Sequence, residues 1–273
     1  MNHKKEMQKG PSPREAIKNR LPISEMKEPI LQFCKEQQSI YLASHNHTEF
    51  PDLEVADFRM VNYEMILVLT PASIFLHKLE EGSSITGFIF DKQGHGLKMT
   101  KRVYGKFLCE ELATDHNLLQ TLAETDPMVK KMLTHGAKFY QLKRKELVAY
   151  FGREEIFTLD DKWNPTYAEY EPNGKKRYEN CRHVLMEYEN REVIFNTVIQ
   201  DGVYYTLTKA DSNKMKYIQD GGICQFYDGR DNHFTSKMTI LPEERVHEIL
   251  ETLMNCNNAY FKSPEGLVAL SYQ

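Results

Sequence analysis

Residues 196–218 read NTVIQDGVYYTLTKADSNKMKYI, a sequence that predicts a β-hairpin followed by a short helix. Two runs rich in β-branched and aromatic residues are separated by Asp201-Gly202, a pair typical of a two-residue hairpin turn. Ser212 then stands where a helix N-cap belongs, and Met215 and Ile218 follow at helical spacing. The second predicted strand therefore leads directly into a helix.

The corner between this strand and this helix carries Thr208, Ser212 and Lys214. Two hydroxyls, a cation and the free N–H groups of a helix start can bind a phosphate group. The T-x(3)-S-x-K pattern resembles the segment with which the pyridoxamine 5′-phosphate oxidase-like split barrels hold the phosphate of FMN. Because the pattern is short, a capped helix with a solvated lysine also explains it.

The order of predicted elements over residues 24–152 resembles the same family. A helix, the strand YLAS, a turn with a proline and a strand pair ending in Leu69-Thr70 are how such domains begin, and KRVYG at 101–105 resembles a strand motif of the family. The predicted helices cover 24–37, 73–79 and 115–134, and the predicted strands cover 39–44, 53–60, 65–70, 84–90, 97–109, 138–142 and 146–151.

Residues 181–273 repeat the first block in shortened form, with Val203–Thr208 corresponding to Met65–Thr70 and a last pair of strands at 259–261 and 266–272. Residues 153–180 are predicted to be a linker, and residues 1–23 a flexible arm. The expected fold is mostly β (α+β), with two antiparallel split-barrel-like domains and peripheral helices. Two unrelated antiparallel stretches with similar turns are the alternative.

The resemblance implies FMN bound in a cleft between two barrels, formed by an intrachain pseudo-dimer or by a homodimer. It implies a phosphate site at Thr208, Ser212 and Lys214, with further contacts from a second set of residues: Asn196, Thr197, Gln225 and, from the first barrel, Arg102. In the first copy, the apolar residues Ile74 and Phe75 follow the corresponding serine. Apolar side chains cannot neutralise a phosphate, so that copy of the site is expected to be degenerate.

The composition is that of a globular protein of 273 residues, with 35 Lys plus Arg against 39 Asp plus Glu. A net charge of -4 provides no basic surface for nucleic acid, and no apolar run approaches the roughly 20 residues of a membrane span. The charged N-terminus does not resemble a secretory signal, and five scattered cysteines favour reduced thiols. We expect a cytoplasmic protein with a small-molecule substrate and no nucleic-acid or membrane partner.

Three functions are compatible with the sequence. The first is an FMN-dependent oxidoreductase acting on an unidentified small molecule, with no catalytic acid or base predicted. The second is a haem-binding split barrel that would use His45, His47 or His233, although no spacing diagnostic of a metal site is present. The third is a non-catalytic binding module with degenerate flavin sites.

Overall fold

The computed structural model describes residues 12–44, 52–79, 83–91, 101–151, 155–168, 180–256 and 259–273. The chain divides into two compact units. The first unit comprises residues 23–167, and the second unit comprises residues 168–273 together with residues 1–22.

The described α-helices are α1 (Pro13–Lys18), α2 (Lys27–Glu36), α3 (Asn117–Thr125), α4 (Pro127–Thr134), α5 (Asn213–Gln219) and α6 (Glu244–Asn255). Short 3₁₀ helices cover Ile23–Glu25 and Phe75–His77. The described strands are β1 (Ser39–Ser44), β2 (Asp52–Val61), β3 (Glu64–Leu69), β4 (Ser84–Phe90), β5 (Lys101–Glu111), β6 (Lys138–Phe151), β7 (Ile156–Leu159), β8 (Pro165–Tyr167), β9 (Cys181–Tyr188), β10 (Arg191–Gln200), β11 (Val203–Lys209), β12 (Ile223–Tyr227), β13 (His233–Lys237), β14 (Thr239–Ile240) and β15 (Leu267–Tyr272).

The first unit is built around a closed ring of antiparallel strands in the order β3–β2–β1–β4–β5–β6, with β6 pairing back to β3. β7 and β8 extend the sheet beyond β6. Buried and exposed residues alternate along β4 and β5, as expected where one face of a strand points into a core. Helices α3 and α4 pack through Leu119, Leu122 and Val129 against residues of β2, β3 and β6.

The glycine of the KRVYG segment is required by packing inside this barrel. Gly105 on β5 lies opposite Gly87 on β4. A Cβ atom added to Gly105 would lie 2.3 Å from the Phe107 ring, and one added to Gly87 would lie 2.6 Å from Ile40. Both of these neighbours are almost fully buried, so neither can move aside without opening the core.

The second unit repeats this strand order. Its sheet runs β13–β12–β9–β10–β11–β15–β14, and only Met238 separates β13 from β14. Residues 233–240 therefore pair with β12 at one end and with β15 at the other, as β5 pairs with β4 and β6 in the first unit. A helical element follows the third strand in both units, Phe75–His77 in the first and α5 in the second. The expectation of a mostly β fold with two antiparallel barrel-like sheets and peripheral helices is confirmed.

The hairpin predicted around Asp201-Gly202 is present between β10 and β11. Gln200 pairs with Val203, which leaves a two-residue loop. Asp201 has a φ of 50° and Gly202 a φ of 77°. Positive φ at both positions is the conformation of a type I′ turn, whose twist matches that of the strands it joins.

Residues 12–22, which the sequence placed in an arm, form α1 and a following segment that pack on β9 of the second unit. Arg20 pairs with the fully buried side chain of Asp228 at 3.2 Å, and Arg182 pairs with the same carboxylate at 2.9 Å. Tyr204 and Asn232 donate further hydrogen bonds to this carboxylate. A buried charge needs such partners, so the contact anchors the N-terminal segment on this unit.

The first part of the predicted linker contains β7 and β8, which join the sheet of the first unit. Trp163, between them, is fully buried, and its Nε1 donates a hydrogen bond to the Tyr63 carbonyl at 2.8 Å. Residues 169–179 of the predicted linker lie outside the described residues. None of the helices described above is long and apolar enough to cross a membrane.

The cysteines differ from the expectation of reduced thiols. Cys181 at the start of β9 and Cys256 at the end of α6 form a disulfide, with Cα atoms 6.5 Å apart. The prediction was wrong for this pair because the fold brings together residues that are 75 positions apart, which spacing alone does not reveal. The other three cysteines are buried thiols, and burial raises the pKa of Cys224 to about 11.

Candidate functional site

A cavity of about 230 Å³ lies in the second unit between the hairpin, α5 and the end of α6. Strands β10 and β11 and helix α5 supply one wall, and α6 with the segment after it supplies the other. The lining residues are Val193, Ile194, Phe195, Asn196, Leu207, Thr208, Lys214, Leu250, Leu253, Ala259, Tyr260 and Phe261. Three of the predicted FMN-binding residues, Asn196, Thr208 and Lys214, are therefore part of one concave site.

Lys214 is the cationic residue of this cavity. Its side chain is partly buried, and its Nζ lies 5.8 Å from the centre of the Phe195 ring. It makes no ion pair or hydrogen bond with any residue that the structure describes. Burial lowers the pKa of Lys214, because the charged ammonium loses contact with water and gains no anion in return.

Thr208 and Ser212 place two hydroxyls at the start of α5. Thr208 is buried at the end of β11, and its Oγ1 lies 3.4 Å from the Oγ of Ser212. Ser212 occupies the N-cap position that the sequence predicted, but its side chain makes no capping hydrogen bond. Ser212 does not line the cavity, and its hydroxyl shares a hydrogen bond with that of Thr208, which does line it.

Asn196 reaches the cavity from β10, where the neighbouring strand fixes its backbone. Thr206 donates a hydrogen bond from its Oγ1 to the Asn196 carbonyl at 2.8 Å. Thr197, the next residue of β10, does not line the cavity and belongs to the buried interior of the second unit. Thr197 is fully buried there, and its Oγ1 lies 3.2 Å from the hydroxyl of Tyr272.

Thr197, Gln225 and Arg102 are not among the residues that line the cavity in the described part of the chain. Gln225 lies on β12, between Glu187 on β9 and Thr235 on β13. Arg102 belongs to the first unit, where its guanidinium stacks on the Tyr150 ring at 4.0 Å. The contacts that the resemblance implied for these three residues remain predictions.

The corresponding corner of the first unit holds an anion of its own. Glu54 accepts a hydrogen bond from the Ser73 hydroxyl at 2.8 Å and another from the Phe75 N–H at 3.1 Å. Ser73 is almost fully buried, and the residue before the Phe75–His77 helix is Ile74. The apolar residues gave one reason to expect a degenerate site here, and this internal carboxylate adds another, which the sequence analysis missed.

The apolar wall of the cavity was not predicted from the sequence either. Leu250 and Leu253 fall on the buried stripe of α6, which reads as an ordinary core stripe. Ala259–Phe261 was expected to be a strand, but it adopts no regular structure. β15 already pairs with β11 on one side and with β14 on the other, so it has no side left for Ala259–Phe261 to pair with.

The histidines of the haem hypothesis do not form a recognisable site in the described part of the chain. His233 is exposed at the start of β13, and its ring stacks near Tyr227 with centres 6.2 Å apart. His45 and His47 lie outside the described residues. Among residues that are described, no group of three or more His, Cys, Asp or Glu side chains could hold a metal ion.

No family model matches the chain, and no curated protein matches it. Solved structures with similar folds include the haem storage protein HutZ of Vibrio cholerae, which is 13% identical, with 46% of this chain and 95% of that chain covered and a TM-score of 0.40. ChuZ of Campylobacter jejuni is 12% identical over 55% of this chain and 64% of that chain, with a TM-score of 0.46. An FAD-binding protein of Mesorhizobium loti is 11% identical over 45% of this chain and 90% of that chain, with a TM-score of 0.35. Likenesses this distant assign neither ligand nor activity.

Proposed function

We propose that the second unit binds the phosphate of FMN at the corner formed by Thr208, Ser212 and Lys214. In this proposal the protein uses the bound flavin as an oxidoreductase acting on a small molecule. The observation that carries the proposal is Lys214, a partly buried cation in a cavity, with no ion pair to any described residue.

A partly buried ammonium group without an anion is unfavourable, and an anionic ligand corrects this imbalance. A phosphate would accept a charge-assisted hydrogen bond from Lys214 and neutral hydrogen bonds from Thr208 and Ser212. The first unit offers an internal comparison, because there the carboxylate of Glu54 occupies the hydroxyl and N–H donors of its corner. In the second unit the hydroxyls of Thr208 and Ser212 contact each other rather than a carboxylate, and Lys214 provides a cation.

The cavity fits one end of FMN. Enclosed sites for drug-sized ligands begin at roughly 300 Å³, whereas this cavity measures about 230 Å³. It therefore accommodates the phosphate and part of the attached chain, and the flavin ring would lie at the mouth. When bound, FMN supplies the electron-transfer chemistry. The residues of the cavity bind the phosphate and orient the ligand, and no catalytic acid or base is assigned.

The test compares FMN binding to the wild-type protein, to Lys214→Ala and to Lys216→Ala. Lys216 lies on the same helix but is exposed, so it controls for the loss of one positive charge. FMN affinity is measured by titration, and retention of the flavin absorbance after ultrafiltration separates bound from free ligand. A hydrogen bond to a charged group contributes about 1.5–3 kcal/mol, so Lys214→Ala should weaken binding by about ten- to a hundredfold.

Lys216→Ala should leave the FMN affinity within about twofold of the wild type, because an exposed charge contributes little. Equal affinities for the wild type and Lys214→Ala would remove this corner from the proposal. A wild-type protein that retains no FMN would refute the cofactor assignment altogether. Addition of haemin to the same samples tests the haem alternative. If the protein binds haem, the Soret band of haemin should shift relative to that of free haemin. The third alternative, a non-catalytic binding module, predicts uptake of neither cofactor.

A further inference from the structure

The two walls of the cavity differ in chemistry. All of the cavity's polar lining residues, Asn196, Thr208 and Lys214, come from the wall of β10, β11 and α5, which also contributes the apolar residues Val193, Ile194, Phe195 and Leu207. The opposite wall is apolar and comes from α6 and the segment that follows it, with Leu250, Leu253, Ala259, Tyr260 and Phe261. A ligand that satisfies both walls carries an anionic group and an apolar or aromatic part.

Tyr260 stands out on the apolar wall because it is 79% exposed, more than any other large apolar side chain of the described residues. Single exposed apolar side chains are common on protein surfaces and need no explanation by themselves. Tyr260, however, lines the same cavity as Lys214. Its ring contact with Phe261 is edge-to-face, with centres 5.1 Å apart and planes at 87°, and it leaves most of the Tyr260 ring uncovered.

Residues 259–261, which include Tyr260, are anchored next to the cavity. Cys256 lies four residues before Tyr260 and is bonded to Cys181 on β9. Leu253, one turn earlier on α6, is buried in the same apolar cluster as Cys181. Ala259 and Phe261, on either side of Tyr260, pack against this same cluster. The backbone that carries the exposed Tyr260 ring is therefore anchored beside the cavity, which reduces the freedom lost when a ligand binds.

We infer that Tyr260 is a stacking platform for a flat aromatic ring, and that the site selects phosphate esters that carry such a ring. This inference rests on the proposed function, because it takes the phosphate to bind at the Lys214 corner. The cavity is too small for a whole flavin, so the ring of the ligand lies at the mouth, where Tyr260 is exposed. Aromatic rings stack favourably in offset arrangements.

The test measures the affinities of the full-length wild type, Tyr260→Ala and Tyr260→Phe for FMN and for glycerol 3-phosphate, which has the phosphate but no ring. Glycerol 3-phosphate is measured by competition against FMN. Met254→Ala serves as the control, because Met254 is 52% exposed on α6 and does not line the cavity. The exposure of Tyr260 means that removal of its ring should not disturb folding.

Tyr260→Ala should bind FMN about five- to tenfold more weakly than the wild type, because it loses one aromatic stacking contact. Its affinity for glycerol 3-phosphate should be unchanged, and Tyr260→Phe and Met254→Ala should bind both ligands like the wild type. If the wild type binds FMN and Tyr260→Ala binds it equally well, the inference fails while the proposed function stands. If the wild type does not bind FMN, the proposed function and this inference fail together.

Discussion

The carboxylate of Glu54 occupies the corner of the first unit that corresponds to the Lys214 corner of the second, and its contribution to stability can be tested. Glu54 accepts hydrogen bonds from the buried hydroxyl of Ser73 and from the N–H of Phe75, at 2.8 and 3.1 Å. In Glu54→Ala both donors lose their acceptor. Each donor left without a partner costs about 1–3 kcal/mol, so the first unit should be destabilised by about 2–6 kcal/mol. Glu54→Gln keeps an acceptor oxygen without the charge and should cost about half as much.

The assay uses the single tryptophan of the chain, Trp163, which is fully buried in the first unit. Urea unfolding followed by tryptophan fluorescence therefore reports on this unit. With a typical dependence on urea of about 2 kcal/mol per molar, the midpoint for Glu54→Ala should fall by about 1–3 M. Glu124→Ala, which alters an exposed carboxylate in the same unit, serves as the control. A Glu54→Ala midpoint equal to that of the control would refute the role given to this carboxylate.

Two further outcomes follow from the second unit. Because burial lowers the pKa of Lys214, FMN affinity should start to decline at a lower pH than the ordinary lysine pKa of about 10.4 would give. The phosphate ester, whose second pKa is about 6, stays ionised throughout this decline. Titrations with FMN at several pH values check this decline, and it should be absent in Lys214→Ala. Cys256→Ser should lower the free energy of unfolding of the second unit by about 4 kcal/mol, since the disulfide closes a loop of 75 residues. Thermal melting followed by circular dichroism, with and without a thiol reductant, measures this, and a wild-type melting temperature unaffected by reduction would contradict it.

Local patterns predicted the central hairpin well. An Asp-Gly pair tolerates positive φ at both positions, which a type I′ turn requires. The length of this turn and the alternation of residues on either side then determine the register of β10 and β11. The start of α5 at Ser212 was predicted for the same reason, because capping preferences act over a few residues. Asn196, Thr208 and Lys214 could be placed near one another because a hairpin and the helix after it determine their positions.

The remaining features depend on contacts between distant parts of the chain. Nothing near Glu54 in sequence indicates that its carboxylate bonds Ser73, which lies 19 residues away. Tyr260 reads as a strand residue, and its position beside the cavity follows from the packing of α6 and from the bond between Cys181 and Cys256. Such contacts are set by the closure of the barrels, for which a single sequence carries no local signal.

The pairing of Arg20 with Asp228 has a consequence for how the protein is made. These residues are 208 positions apart, and the whole first unit is encoded between them. During synthesis Arg20 leaves the ribosome before the first unit is made, and Asp228 leaves it only afterwards. The second unit needs segments made before and after the first, so it resembles a host domain into which the first has been inserted. A fragment that begins at the predicted linker would lack Arg20 and leave the buried carboxylate of Asp228 short of one cation.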